Sequence, residues 1–160
     1  VPIGTLSDIG CEGKTVLLRL DLNSPLDPTS NSILDDKRFR EHLPTIQALQ
    51  KSRVVIITHQ SRPGKKDFST LEAHAEKLEH LVKRPVHYID DIIGSHAKES
   101  VRALRDGEIL MLENVRFNAE ENLTLKAEDA KKHTWSSGWQ HSETCLSMTP
   151  SGRRTGRSRP

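Results

Sequence analysis

Six side chains in this 160-residue chain have the types and placement to hold a small anion together: Asp21, Asn23, Arg38, His59, Arg62 and Arg116. An arginine fork donates paired hydrogen bonds to phosphate or carboxylate oxygens, so three arginines with a histidine suit a ligand carrying both groups. Asp21 and Asn23 cannot hold phosphate by charge, but they can exchange hydrogen bonds with a ligand hydroxyl. The set as a whole fits a phosphorylated hydroxy acid.

Each residue follows, or starts beside, an element that would place it at one edge of a sheet. From Thr15 to Asp129 short β-rich runs alternate with longer amphipathic segments, the pattern of a Rossmann-like parallel α/β sheet with helices on both faces. Strands are expected at Thr15 to Leu20, Arg53 to Thr58, Pro85 to Ile89 and Glu108 to Leu112. The runs Val54-Val55-Ile56-Ile57 and Ile109-Leu110-Met111-Leu112 barely alternate, as strands covered on both faces should read. In such a sheet the ligand crevice lies at the carboxyl ends of the strands. The segments found there are Asp21-Leu22-Asn23-Ser24-Pro25, His59-Gln60-Ser61-Arg62-Pro63-Gly64 and Glu113-Asn114-Val115-Arg116-Phe117, with Arg38 at the same end on an early helical position.

Between the strands, Asp36 to Gln50 reads as helical but is interrupted by Pro44, which removes a donor and pushes Leu43 out of the α region. A short turn followed by a helix from about Pro44 is expected. Thr70 to Val82 sets Leu71, Ala75, Leu78 and Val82 on one stripe, with Ser69 or Thr70 as N-cap. Ser95 to Leu104 turns Ala97, Val101 and Leu104 inward, and a last helix is expected near Thr124.

Each candidate also has a plainer reading. Arg38 lies in the run Asp35-Asp36-Lys37-Arg38, and such runs are usually solvated faces. His59 and Arg62 could serve a loop closed by the Pro63-Gly64 turn. Glu113 and Arg116 could form a local ion pair of little value. Arg19, inside a strand, is explained by pairing with Asp21 on the same face and is read as structural. Convergence at one edge is the argument, and no single residue carries it.

Composition sets outer bounds. The length suits one domain. The longest apolar runs fall far short of the ~18 residues of a membrane span, and the start lacks the order of a signal peptide, so no membrane partner and a cytoplasmic address are expected. Cys11 and Cys145 have neither disulfide nor zinc spacing, and no metal site is expected. No Walker or GxGxxG loop follows any strand, since Gly64-Lys65-Lys66 lacks the preceding glycine and the hydroxyl residue. The net charge of +2 comes from the tail, where Arg153, Arg154, Arg157 and Arg159 face the single acid Glu143.

Four segments in order make the chain resemble phosphoglycerate kinase over roughly residues 5 to 130. Val16-Leu17-Leu18-Arg19-Leu20-Asp21-Leu22-Asn23-Ser24-Pro25 resembles the family's first strand and Asp-x-Asn loop, and Leu34-Asp35-Asp36-Lys37-Arg38-Phe39-Arg40 with Leu43-Pro44-Thr45-Ile46 its arginine-bearing helix start. Thr58-His59-Gln60-Ser61-Arg62-Pro63 is similar to its His-x-x-Arg-Pro loop, and Leu112-Glu113-Asn114-Val115-Arg116-Phe117 to its Glu-Asn-x-Arg-Phe loop. The resemblance implies an incomplete N-terminal domain of a two-domain kinase that moves a phosphoryl group reversibly between Mg-ATP/ADP and 3-phosphoglycerate/1,3-bisphosphoglycerate. The nucleotide site would lie in a C-terminal lobe outside this chain, and the intact family enzyme would be a monomer or homodimer.

On that reading Asp21 and Asn23 orient the glycerate, His59, Arg62 and Arg116 hold its phosphate, and Arg38 is the catalytic arginine nearest the transferring phosphoryl. Its fixed charge would act as an arginine finger does. Three residues depart from the family: Gln60 and Ser61 stand where Leu-Gly is usual, and Ser24 where an apolar residue precedes Pro25. Serine for glycine adds bulk where the backbone nears the ligand, which bears on affinity more than on location.

After Lys132 the pattern changes, with Trp135 and Trp139 among Ser, Gly, Thr and Arg and no strand or helix periodicity. Residues 1–132 are therefore read as the partial domain and 133–160 as a disordered tail foreign to it. Reading permitted codons for Lys131 to Pro160 one nucleotide out of step gives Lys-Thr-His-Met-Val-Lys-Arg-Leu-Ala-Ala-Leu, then Val-Asn-Asp-Ala-Phe-Gly-Ala-Ala-His-Arg-Ala-Gln-Pro. That is the continuation the family resemblance implies, and the adenine-rich codons of Lys131-Lys132 are a natural place for a slip. Without the later strands the sheet would keep an unpaired edge, and the chain alone would be marginally stable and inactive.

Two other readings compete: a stand-alone α/β module that binds a small phosphorylated anion without catalysis, and an arginine-rich nucleic-acid arm. The arm has less support because no aromatics interleave its arginines, so no nucleic-acid partner is expected. Repeated sequencing of the DNA across Lys131 is expected to show the alternative-frame text. An unambiguous frame without that text would refute the slip.

Overall fold

The computed structural model describes residues 10–118 and the backbone of 144–148. Five parallel strands form one sheet: β1 (Thr15–Arg19), β2 (Arg53–Ile57), β3 (Val86–Tyr88), β4 (Ile109–Met111) and β5 (Thr144–Met148), in the order β3-β4-β2-β1-β5. Among the described residues three α-helices connect β1 to β2, β2 to β3 and β3 to β4: α1 (Lys37–Ala48), α2 (Glu72–Val82) and α3 (Ser95–Ala103). The parallel α/β architecture expected from the alternating pattern is the one found.

Register decides which residues share a face. Val16 pairs with Val54 and Val54 with Ile109, while Leu18 pairs with Ile56 and Ile56 with Met111. Strand side chains alternate between faces, so these six point one way. They pack with Phe39, Ile46 and Leu49 of the first crossover and with Leu71, Ala75 and Leu78 of the second. The intervening residues, Leu17, Val55, Ile57 and Leu110, point the other way onto Ala97 and Leu104 at α3, with Ile89, Ile92, Leu112 and Val115. Two crossovers cover one face and α3 the other, which explains why the strands read as continuous apolar runs.

Two local expectations are corrected. α1 runs unbroken through Pro44 instead of starting there. Phe39 and Ile46 lie seven residues apart, two turns on the same face, and both are completely buried. Keeping both in the core requires helical phase across the proline. Burying them offsets a proline cost of about 3 kcal/mol. The N-cap of α2 is Leu71 and not Ser69 or Thr70, and no side chain of that residue caps the helix. Leu71 is drawn into the core, and its amide donates to Glu113 Oε1 at 3.1 Å. A residue from the far end of β4 thus anchors the start of α2.

The edge of β1 is not open either. Although no strand pattern is legible after Lys132, Thr144–Met148 pairs with it from Thr15↔Thr144 to Arg19↔Met148. Amides and carbonyls of a buried strand need partners, and a parallel backbone supplies them whatever the side chains are. The helix expected near Thr124 lies outside the described residues.

One core side chain is titratable. His74 on α2 is completely buried against the Phe39 ring, with centroids 5.8 Å apart. Burial first, and the nearby charge of His59 second, push its pKa from the usual 6.5 down to about 4. The unfolded chain therefore takes up this proton before the folded one. Its contribution is whole above pH 6.5 and is lost as pH falls toward about 4, up to about 3 kcal/mol. Urea midpoints measured from pH 7.5 to 4.5 are expected to fall steeply for the native chain and less for His74→Gln. Parallel loss in both would contradict this.

Candidate functional site

The exits of β1, β2 and β4, three neighbouring strands, lie side by side, and a ladder of hydrogen bonds keeps the first two together beyond the strands. Leu20 N donates to Ile57 O at 3.0 Å and Leu22 N to Thr58 Oγ1 at 3.2 Å. Ser24 N then donates to Gln60 Oε1 at 3.1 Å, and Gln60 Nε2 returns a bond to Ser24 O at 2.9 Å. The steps at 20, 22 and 24 keep the strand period of two, with side-chain groups replacing the missing backbone partner.

This ladder sets where the polar residues point. Asn23 Oδ1 accepts from Ser61 N at 2.9 Å, and Asp21 Oδ1 accepts from Asn23 N at 3.3 Å. The other Asp21 oxygen holds Arg38 in an ion pair. Arg38 reaches over from the first turn of α1, with its side chain 46% exposed against 18% for Asp21. The Asp21 carboxylate is therefore engaged by Arg38, the residue from the charge run.

The β4 exit joins from the other side. Val115 N donates to Thr58 O at 3.3 Å, and Asn114 Nδ2 donates to Gln60 O and to Ser69 O, both at 2.9 Å. Arg116 Nη1 donates to Ser61 O. An edge-to-face contact of Phe68 with Phe117, centroids 4.7 Å apart, seals the same junction. Glu113 takes a structural part, accepting from Leu71 N, Asn114 N and the Tyr88 hydroxyl. Burial first, then the Glu113 carboxylate, hold that hydroxyl above its usual range.

Ser61 is where the three strand exits meet. Its amide serves Asn23, its carbonyl serves Arg116, and its hydroxyl bonds Asp67 Oδ1 at 2.6 Å. It adopts φ +56°, the left-handed region that costs a side-chain-bearing residue about 1–2 kcal/mol. Where the family resemblance puts glycine, this chain pins a serine in glycine's conformation.

The structure thus joins Asp21 to Arg38, and Asn23 and Arg116 to one residue, Ser61. His59 and Arg62 flank that residue in the same loop, His59 half-buried and Arg62 exposed. No hydrogen bond or ion pair among the described residues engages the Arg62 guanidinium. Gln60, Asn114 and Asp67 also join this junction, although their places in the sequence do not mark them as functional. The signal for Gln60 was a buried-type position carrying an amide. A separate surface cavity lies at the β3 edge, lined by His87, Tyr88, His96 and Arg105 among others, and shares none of the six residues. No group of His, Cys, Asp and Glu among the described residues could hold a metal ion. No helix among them is long and apolar enough to cross a membrane.

Comparison with known proteins agrees with this geometry. The family model described as phosphoglycerate kinase matches residues 6–141, past the Lys131-Lys132 run. Phosphoglycerate kinase of Methanocorpusculum labreanum is 66% identical over 129 residues, 81% of this chain and 32% of that protein. That of Methanothermobacter thermautotrophicus is 53% identical over 127 residues, 78% of this chain and 31% of the relative. The crystal structure of phosphoglycerate kinase from Pyrococcus horikoshii superimposes with a TM-score of 0.81 at 40% identity, covering 85% of this chain and 34% of that one. The chain spans about one third of the length of these relatives. With the match running through all three strand exits, the chain belongs to the phosphoglycerate kinase family.

Proposed function

We propose that this chain carries the 3-phosphoglycerate-binding part of a phosphoglycerate kinase, whose full reaction is reversible phosphoryl transfer between Mg-ATP and 3-phosphoglycerate. The observation that carries the reading is the joining of three strand exits at Ser61, which gathers Arg38, Arg62 and Arg116 at one edge of the sheet. Asp21 and Asn23 orient the glycerate. His59, Arg62 and Arg116 take its phosphate.

Arg38 has the catalytic role, neutralising charge on the transferring phosphoryl group. Its Nη1 is paired with the Asp21 carboxylate, so an arriving anion competes with that carboxylate for it. None of the described loops offers the glycine-rich run of amides with Lys-Ser/Thr that cradles nucleotide phosphates. No step through the nucleotide is therefore assigned to these residues, and the chain alone is expected to bind without turnover. A cytoplasmic setting, and a monomer or homodimer for the intact enzyme, go with this reading.

Calorimetry of the 160-residue chain with 3-phosphoglycerate is expected to show binding, and a coupled assay with Mg-ATP no product. Arg62→Gln and Arg116→Gln should each weaken binding by roughly 10-fold or more, as loss of a charge-assisted hydrogen bond does. Absence of binding, or unchanged affinity in both variants, would contradict the assignment.

Ser61 offers a second test. Ser61→Ala keeps the strained backbone and loses the Asp67 bond, a cost of about 1 kcal/mol. Ser61→Gly loses the bond but relieves the strain, so the two effects nearly cancel. Denaturant unfolding should rank the glycine variant above the alanine variant. The reverse order would show that Ser61 is not strained.

A further inference from the structure

Gln60 hydrogen-bonds none of the six candidate side chains, yet it makes more hydrogen bonds between the loops than any residue described above. It is completely buried. Its side chain bonds both main-chain groups of Ser24, and its carbonyl accepts from Asn114 Nδ2. The orientation of the amide is fixed by chemistry: Ser24 N can only donate and Ser24 O can only accept, so Oε1 faces the former and Nε2 the latter.

That orientation fixes the next residue. His74 Nε2 lies 2.9 Å from Gln60 Oε1, which can only accept, so the imidazole carries its proton on Nε2. Nδ1 is then left unprotonated, buried and without a partner. A second proton would have no acceptor there, in keeping with the burial that already disfavours it. α2 thus holds the Gln60 amide, and the amide holds the β1 exit.

We infer that Gln60 is a positioning residue, braced by His74, that sets the spacing between the Asp21–Asn23 loop, the His59–Arg62 loop and the Asn114–Arg116 loop. The Asn23–Ser61 bond depends on it without touching it. Asn23 reaches Ser61 N only because Ser24, next along the chain, is pinned to Gln60, the residue before Ser61. A leucine at 60 would fill similar space and leave Ser24 N, Ser24 O and His74 Nε2 without partners. The consequence for affinity rests on the proposed glycerate site, whereas the consequence for loop spacing does not.

The test compares the 160-residue chain with Gln60→Leu and Gln60→Glu. Its readouts are amide hydrogen exchange at Ser61, the global unfolding midpoint and calorimetry with 3-phosphoglycerate. In Gln60→Leu the Ser61 amide is expected to exchange about 10-fold faster, and 3-phosphoglycerate to bind about 10-fold more weakly, with exchange in β2 and β4 unchanged. Gln60→Glu keeps acceptors for Ser24 N and His74 but loses the donor to Ser24 O, so it should fall between the two. Ser61 exchange unchanged in both variants, or accelerated only in step with the strands, would overturn the proposal. If the leucine variant fails to fold, the glutamate variant decides by the same criterion. If the native chain binds no 3-phosphoglycerate, the glycerate reading fails while Ser61 exchange still decides the role of Gln60.

Discussion

Three neighbouring parallel strands ending level with one another are the constraint on which everything else in this structure rests. β1, β2 and β4 are held in register by backbone pairing and by apolar side chains buried on both faces. A slip of one residue would carry Val54 and Ile56 to the wrong face and would also misalign the exits that carry Asp21, His59 and Glu113. Core packing and site geometry are therefore the same fact seen at the middle and at the end of the sheet.

At that end the chemistry changes from apolar to polar without opening to water. Ser24, Thr58, Gln60, His74, Glu113 and Asn114 are all buried, and all lie at or against the carboxyl ends of the strands. Buried polar groups cost free energy unless they are bonded, and here the bonds run between loops from different strands. Such a network is stiff because loosening one loop strands the partners of the next. Rigid, buried amides thus hold the three strand exits together, and charged side chains project from the loops they brace. Among the described residues no hydrogen bond or ion pair engages the Arg62 guanidinium, while Arg38 pairs with Asp21 and Arg116 donates to Ser61 O.

Much of this was legible in the chain. The unbroken apolar runs at Val54 and Ile109 mark strands covered on both sides, and the polar segments after them mark the edge where three strand exits meet. What was not legible depended on contacts distant in sequence. Pro44 reads locally as a break, but Phe39 and Ile46 share a core face across it. Ser69 and Thr70 read as caps, but Glu113 supplies the acceptor from 42 residues away. The strand at Thr144–Met148 carries no usable pattern, because its place is set by the backbone of β1. Gln60 and Ser61 read as departures that weaken a site, yet the fold uses them to link its loops.

We propose that residues from three strand exits form a single anion site. Titration of the isotopically labelled chain with 3-phosphoglycerate, followed through its amide resonances, distinguishes one shared site from separate loops. Asn23, Ser61, Arg62 and Arg116 are expected to shift together along one saturating curve, while Gly13 and Ser52 at the opposite end of the sheet stay still. Shifts confined to one loop, or spread evenly over exposed lysines and arginines, would contradict it.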